Sequence, residues 1–293
     1  MYDFVTLGAY TKDTIVRPTG ITQVDGGGYN YAALAAAIAG IKVAAITKLA
    51  ASDRTVTQPL RDLGMDVFVH ESRHSTCMRL EYPTANPDQR RLSVTTVVDP
   101  FVAGDVAGVD ARAFLVSASF RGEAPLDLLK AIKSKNALLG VDIQGFVRIV
   151  DPQGELRYEG QWPERAAVLA LVDILKTDAV EAEALTGKSD IHAAARALVE
   201  LGPREIVLTH KSGLLVLADG RFHEQPFLPE LLRGRSGRGD TCIGAYISKR
   251  LHATPEDATR WAAAVTSLKL EAEGPIRRTR AEVEAYLDRH DQR

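Results

Sequence analysis

The stretch Gly234-Arg235-Ser236-Gly237-Arg238-Gly239-Asp240-Thr241 brings together the residue types from which phosphate chemistry is built, and the apolar run behind it reads as a helix. Two glycines one residue apart at a helix start let backbone N–H groups converge on an anion, and the positive end of the helix dipole points at the same spot. An aspartate there would repel phosphate unless it had a task, such as accepting a proton from an attacking hydroxyl. The other reading of Asp240 is a helix N-cap, for which Asp is a favoured residue. Spacing alone leaves both open. A second segment runs from Lys176 to Gly187, where Asp178 and Glu181 have the spacing of a capping box. The same carboxylates at a strand-to-helix junction could instead orient hydrated Mg²⁺ beside phosphates. A third group, Asp13 with Gly26-Gly27-Gly28, suits recognition of hydroxyls, with turn chemistry as the plainer alternative.

The rest of the composition narrows the function classes. The 293 residues are 45% hydrophobic and 25% charged, ordinary globular proportions. With 36 basic against 38 acidic side chains, the net charge of −2 lacks the global basic field of a nucleic-acid binder. The longest apolar run, near Ala32 to Ala39, falls well short of the roughly 18 residues that suggest a membrane span. No secretory signal is visible in MYDFVTLGAY, so a cytoplasmic protein is expected. Cys77 and Cys242 cannot make a disulfide framework or a four-thiolate zinc site. Gly187-Lys188-Ser189 has Ala182 where a P-loop needs glycine, no GxGxxG follows the first strand, and His223-Glu224 lacks a second histidine.

Around these segments strands and helices alternate. Residues 4–8, 42–46, 65–69, 113–116, 137–141, 171–175 and 206–209 read as strands, and 214–217 with 221–223 as a hairpin around Asp219-Gly220. Helices are expected from Gly26-Gly27-Gly28 onward, over 123–136, over 179–186 with Gly187 as its C′ residue, and along Ile191/Ala194/Ala195/Leu198. Three more follow: 241–251, one through Trp261/Ala264/Val265/Leu268, and one through Val283/Tyr286/Leu287. Such alternation implies a mostly parallel sheet covered on both faces. Residues 76–98 read differently, as an antiparallel hairpin with a Pro-Asn-Pro turn (Pro83 to Pro87). With short strands at 14–16 and 21–24 it would form a small second layer, a lid.

Taken together, these segments resemble the ribokinase-like (PfkB) carbohydrate kinase family over nearly the whole chain, in a short-chain branch similar to inositol and sugar kinases. The double glycine opening an early helix is Gly26-Gly27-Gly28-Tyr29-Asn30-Tyr31-Ala32, and the family's Thr-Gly-Ala-Gly-Asp resembles Ser236-Gly237-Arg238-Gly239-Asp240. Its Asn-x-x-Glu segment before Leu-Thr-Gly matches Asp178-Ala179-Val180-Glu181 and Leu185-Thr186-Gly187, and the early strand with an aspartate after it is Gly8 to Asp13. The resemblance implies one three-layer α/β/α domain over residues 1–293, with a β lid from strands near 12–25 and 74–98 that often doubles as a homodimer interface.

It also implies ATP-dependent transfer of the γ-phosphate to a hydroxyl of a small sugar or a cyclitol such as myo-inositol. Asp240 would be the base, and the N–H groups of Gly237, Arg238 and Gly239 the anion hole. Glu181 would order Mg²⁺ through water, with Asp178 beside the nucleotide; a monovalent cation is a further candidate activator. Thr209, Lys211 and Gly213 would form the nucleotide loop, and residues 264–274, ending at Gly274, would flank the adenine. Asp13, Gly27, Gly28 and Tyr31 would meet the substrate. Val141-Asp142-Ile143-Gln144-Gly145-Phe146-Val147-Arg148 is similar to an Asp-x-Gln-Gly segment of the inositol kinase-like branch and makes Gln144 and Arg148 substrate contacts or loop stabilisers. Three residues depart from the pattern. Tyr31 replaces an asparagine of many sugar kinases, Arg238 a small residue, and Asp178 an asparagine. The alternatives are a nucleoside kinase of the same chemistry and a catalytically silent binding protein on this fold. The partner expected is a small polyol, without nucleic acid or membrane.

Overall fold

A computed structural model describes residues 1–84 and 91–291. The chain opens with β1 (Tyr2–Leu7), leaves for β2 (Thr11–Arg17) and β3 (Gly20–Gly26), and returns through α1 (Gly28–Ala37) to β4 (Val43–Ala50), α2 (Gln58–Asp62) and β5 (Asp66–Ser72). A second excursion, β6 (Thr76–Glu81) and β7 (Arg91–Thr96), precedes β8 (Ala111–Val116), α3 (Leu126–Lys133), β9 (Leu138–Asp142), the one-turn α4 (Gln144–Val147), β10 (Arg148–Val150) and β11 (Leu156–Tyr158). The remainder is α5 (Arg165–Leu171), β12 (Ile174–Asp178), α6 (Ala179–Thr186), α7 (Ile191–Val199), β13 (Glu205–Thr209), β14 (Gly213–Ala218), β15 (Arg221–Pro226), α8 (Arg238–Arg250), α9 (Pro255–Leu270) and α10 (Arg280–Asp291).

Nine strands form one sheet in the order β15-β14-β13-β12-β9-β8-β1-β4-β5, parallel except for the antiparallel β13–β14 and β14–β15 pairs at one edge. Successive side chains serve opposite faces, as a strand requires. Phe4 and Val207 pack under α1, α8 and α9, whereas Val5, Ile206 and Leu208 pack under α3, α5, α6 and α7. The sheet is therefore buried on both sides, a three-layer α/β/α sandwich of the ribokinase-like kind.

The lid is a four-stranded sheet, β3-β2-β6-β7, in which two antiparallel pairs join through a parallel β2–β6 contact. The Pro83 to Pro87 turn lies partly outside the described residues. Among the described residues no helix is long and apolar enough to cross a membrane.

Two boundaries differ from the sequence pattern and a third agrees with it. The helix expected over 123–136 starts only after Pro125, its N-cap. Glu123 is held apart from it, its carboxylate accepting the Ser119 N–H at 2.8 Å. The strand expected at 171–175 begins at Ile174, because α5 takes the apolar residues up to Leu171. Gly187 ends α6 in the left-handed region at φ 69°, as a C′ glycine should.

Helix α8 sits unusually close to α1. A Cβ on Gly244 would stand 2.5 Å from the Ala32 carbonyl oxygen, and a Cβ on Gly140 in β9 would collide with Ile247. Gly244→Ala should therefore cost about 1–3 kcal/mol, the usual penalty of overpacking. Urea unfolding measures this directly; an unchanged midpoint would mean that the helices separate freely.

Candidate active site

The parallel strands deliver their C-terminal ends to one edge of the sheet, where ligands bind in open α/β folds. Between that edge and the lid lies a cleft of about 540 Å³. The first turn of α8 forms part of its wall. Gly237 stands at φ 73° as the N-cap and the helix starts at Arg238, so Asp240 is its third residue and not its cap. Ser117, just past β8, donates its hydroxyl to Asp240 Oδ1 at 2.6 Å and fixes the carboxylate. A Cβ on Gly28 would collide with both groups, so only glycine fits where α1 begins.

Across from Asp240, Asp13 reaches in from β2. Burial pushes its carboxyl up to about 6; the Thr11 hydroxyl opposes this, and Asp240 and Asp25 add to it. Its Oδ1 has no hydrogen-bond partner. Ser119 and Gln144 line the same end, and Met78, Leu80, Tyr82 and Leu92 of the lid side cover it. Tyr31 belongs as much to the anion-hole turn as to the substrate end, because its ring fills the space that a Cβ on Gly237 would need.

Beneath Gly239 lies a buried cation. Lys176 is 4% exposed, and its Nζ is 2.8 Å from where a Cβ on Gly239 would stand. Asp142 at 3.1 Å and Glu181 at 3.7 Å hold it. Burial alone would lower Lys176, but Asp142, Glu181, Asp178 and Asp240 keep it above its ordinary value. Burial also pushes Asp142 up, while Lys176 pulls it down. With the ammonium this close and the Gln144 N–H donating to Asp142 at 3.0 Å, the ionised pair is the state that fits.

Asp178 and Glu181 make the capping box: Glu181 N–H donates to Asp178 Oδ1 at 2.9 Å, and Asp178 N–H to Glu181 Oε2 at 2.8 Å. Glu181 is 0% exposed, with Arg148 3.8 Å from its Oε1. Glu181 Oε2 accepts the Asp178 N–H and lies 3.7 Å from Lys176, while its buried Oε1 has no hydrogen-bond partner and is the atom left to order a water of a hydrated metal. Among the described residues no group of three or more His, Cys, Asp or Glu is arranged to hold a metal.

Of the residues singled out by sequence, Asp13, Gly27, Gly28, Tyr31, Gln144, Arg148, Asp178, Thr209, Lys211, Gly237, Arg238, Gly239 and Asp240 all line the cleft. Glu181, Gly213 and Gly274 do not. Gly213 is buried in the β14–β15 pairing, where a Cβ would collide with the Gln225 carbonyl. Ser117, Asp142, Lys176, His210 and Arg235 line the cleft without having been expected there. The available signal for the first three was their position at or near the C-terminal ends of parallel strands.

Several solved structures share this architecture. A sulfate complex of a pyrophosphate-dependent kinase of the ribokinase family is 34% identical, with a TM-score of 0.89 over 96% of this chain and 99% of that one. A pyrophosphate-dependent myo-inositol-1 kinase, converted into a myo-inositol-3 kinase by exchanging an asparagine and a serine for leucines, is 33% identical, with a TM-score of 0.87 over 98% and 99%. A cytidine kinase of Thermococcus kodakarensis is 23% identical over 262 residues, 85% of this chain and 88% of that protein. The model of the pfkB family of carbohydrate kinases matches residues 2–281, and the chain belongs to that family.

Proposed function

We propose that this kinase transfers a phosphoryl group from inorganic pyrophosphate to a ring hydroxyl of myo-inositol. The observation that carries the donor is the composition of the donor end of the cleft. Lys211, Arg235, Arg238 and His210 line it beside Thr209, and its apolar surface amounts to Ala179 and Val180. A purine calls for apolar surface against its faces, whereas two linked phosphates call for cations and N–H donors. In the segment expected to flank an adenine, Ala264, Val265, Leu268 and Leu270 are buried in the helix core, which leaves only the turn from Glu271 to Gly274 to face a purine. Similar structures described as pyrophosphate-dependent support the same donor.

The acceptor end combines Asp13, Asp240, Gln144 and serine hydroxyls with the apolar Met78, Leu80 and Leu92. That mixture suits a small ring with hydroxyls on its rim and C–H groups on its faces. In the reaction an inositol oxygen forms a bond to one phosphorus as the bridging P–O bond breaks, and orthophosphate leaves. Asp240 accepts the hydroxyl proton. The N–H groups at the start of α8 and the Lys176 ammonium stabilise the charge on the transferring phosphoryl. Positive charge that hydrated Mg²⁺ brings with the donor would add to theirs.

The 1- and 3-hydroxyls of myo-inositol are mirror images, so a choice between them has to come from walls that differ on the two sides of the ring. Leu80 and Leu92 face each other across β6 and β7 and line the cleft. Leucine is the residue type that turned the similar myo-inositol-1 kinase into a 3-kinase. On this reading the acceptor is the 3-hydroxyl.

Formation of inositol phosphate from myo-inositol should be rapid with pyrophosphate and slow with ATP. Asp240→Asn should lower kcat roughly 100- to 10,000-fold without moving the unfolding midpoint. Turnover with ATP but not with pyrophosphate would sink the donor assignment, and turnover only with nucleosides would sink the acceptor. For the regiochemistry, Leu80→Asn with Leu92→Ser should shift the product toward the 1-phosphate, resolved by chiral-phase chromatography. An unshifted product would remove the lid pair from the choice.

A further inference from the structure

A second buried ammonium lies on the far side of the anion-hole turn, outside the cleft and unused by the mechanism above. Lys269, in the last turn of α9, is 1% exposed. Its Nζ donates to the Gly234 carbonyl at 2.9 Å and stands 5.8 Å from the centroid of the Tyr31 ring. The next residue joins the same loop, since the Arg233 and Gly234 N–H groups donate to the Leu270 carbonyl at 2.9 and 3.1 Å. Beyond Gly234 the chain from Arg235 to Gly239 lines the cleft. The Tyr31 ring that Lys269 approaches is the one filling the space at Gly237.

We infer that Lys269 is a positioning residue for phosphoryl transfer: its ammonium clamps the Gly234 carbonyl and the Tyr31 ring so that the Gly237–Gly239 turn is held ready for the donor. Two neutral partners, a carbonyl and an aromatic face, are poor compensation for desolvating a lysine. A methionine would fill the same space without that cost, so retention of the charge points to a task other than packing. The charged and titratable groups around it are Tyr31 of α1, Arg238 and Asp240 of α8, and Glu273 after α9. Burial lowers Lys269 to about 8, with Glu273 and Asp240 opposing the shift and Arg238 adding to it.

The sign of that shift separates a positioning role from a structural one. The folded protein holds the proton less tightly than the unfolded chain, so the fold gains stability as pH rises from about 8 toward the ordinary lysine value near 10.4. The clamp, in contrast, loses its charge over the same interval. A structural lysine predicts no loss of activity there; a positioning lysine predicts a falling rate in a protein that is becoming more stable.

This inference rests on the kinase reading above but not on its choice of donor, because wild-type turnover with whichever donor proves active is the reference. Lys269→Met should unfold at a midpoint equal to or above the wild type and keep its KM for the acceptor. Its kcat should fall roughly 10- to 100-fold, the scale of a misplaced catalytic element, and its KM for the donor should rise. The wild-type decline in kcat through pH 8 should be absent in the variant. Lys269→Arg, which retains the charge, should recover part of the loss. Wild-type kcat and donor KM in the Met variant, or an alkaline decline that survives the substitution, would overturn the inference.

Discussion

Gly244 of α8 packs on the backbone of Ala32 in α1, and this approach sets the distance between the two helix starts that face the substrate. Glycine inside a helix costs about 1 kcal/mol relative to alanine. Here it lets α8, buried along much of its length, lie flat against both α1 and the sheet. The two helices begin side by side, Gly28 against Asp240, so two sets of unpaired N–H groups and two positive dipole ends meet at one point. Ser117, arriving from β8, closes the third side through its bond to Asp240. Moving any of these three elements would displace Asp240 relative to the glycine-rich turn at the start of α8.

Buried charge is the second constraint. Lys176 and Asp142 are almost wholly removed from water, and a pair of this kind is seldom worth its desolvation for stability alone. Its location accounts for it better. Lys176 touches the place where Gly239 has no side chain, so the glycine that opens the hole to phosphate from above also opens it to an ammonium from below. Charge fixed in advance needs no reorganisation when the phosphoryl group becomes metaphosphate-like. Glu181 then serves as counter-ion and capping partner through Oε2, with its Oε1 left without a hydrogen-bond partner.

Much of this was legible in the sequence, for reasons that can be named. Short apolar runs marked most of the strands of the large sheet, period-two alternation marked residues 65–69 and the lid hairpin, and the glycine-rich turn before α8 marked the candidate site. Asp178 with Glu181 has the spacing of the capping box that the structure contains. Asp240 was ambiguous because an aspartate at a helix start reads equally as cap or base; only the position of Gly237 as N-cap separates them. Lys176 had only its place at the end of a parallel strand to mark it, and Lys269, one lysine in the helix of Trp261 and Leu268, carried no pattern that tells a buried ammonium from an exposed one. The run of α5 up to Leu171 was missed because four apolar residues between two short elements fit a strand as well as a helix end.

The motifs that identify the family report on the atoms common to every donor. In the proposed reaction Gly237, Gly239 and Asp240 address the phosphoryl group in flight and the hydroxyl that attacks it, and those are identical for a nucleotide and for pyrophosphate. What differs is the leaving group. The residues around it, His210 and Lys211 after β13 and Arg235 before α8, stand on loops with no fixed spacing. A resemblance built on motifs therefore carries the reaction with it but leaves the donor open. Cations at that end of the cleft can take over when the adenine site is gone, because most of the donor's binding charge was always on its phosphates. Exchanging a nucleotide for an inorganic donor on this fold then requires changes in loops alone, while the two helices and the serine that hold Asp240 stay where they are.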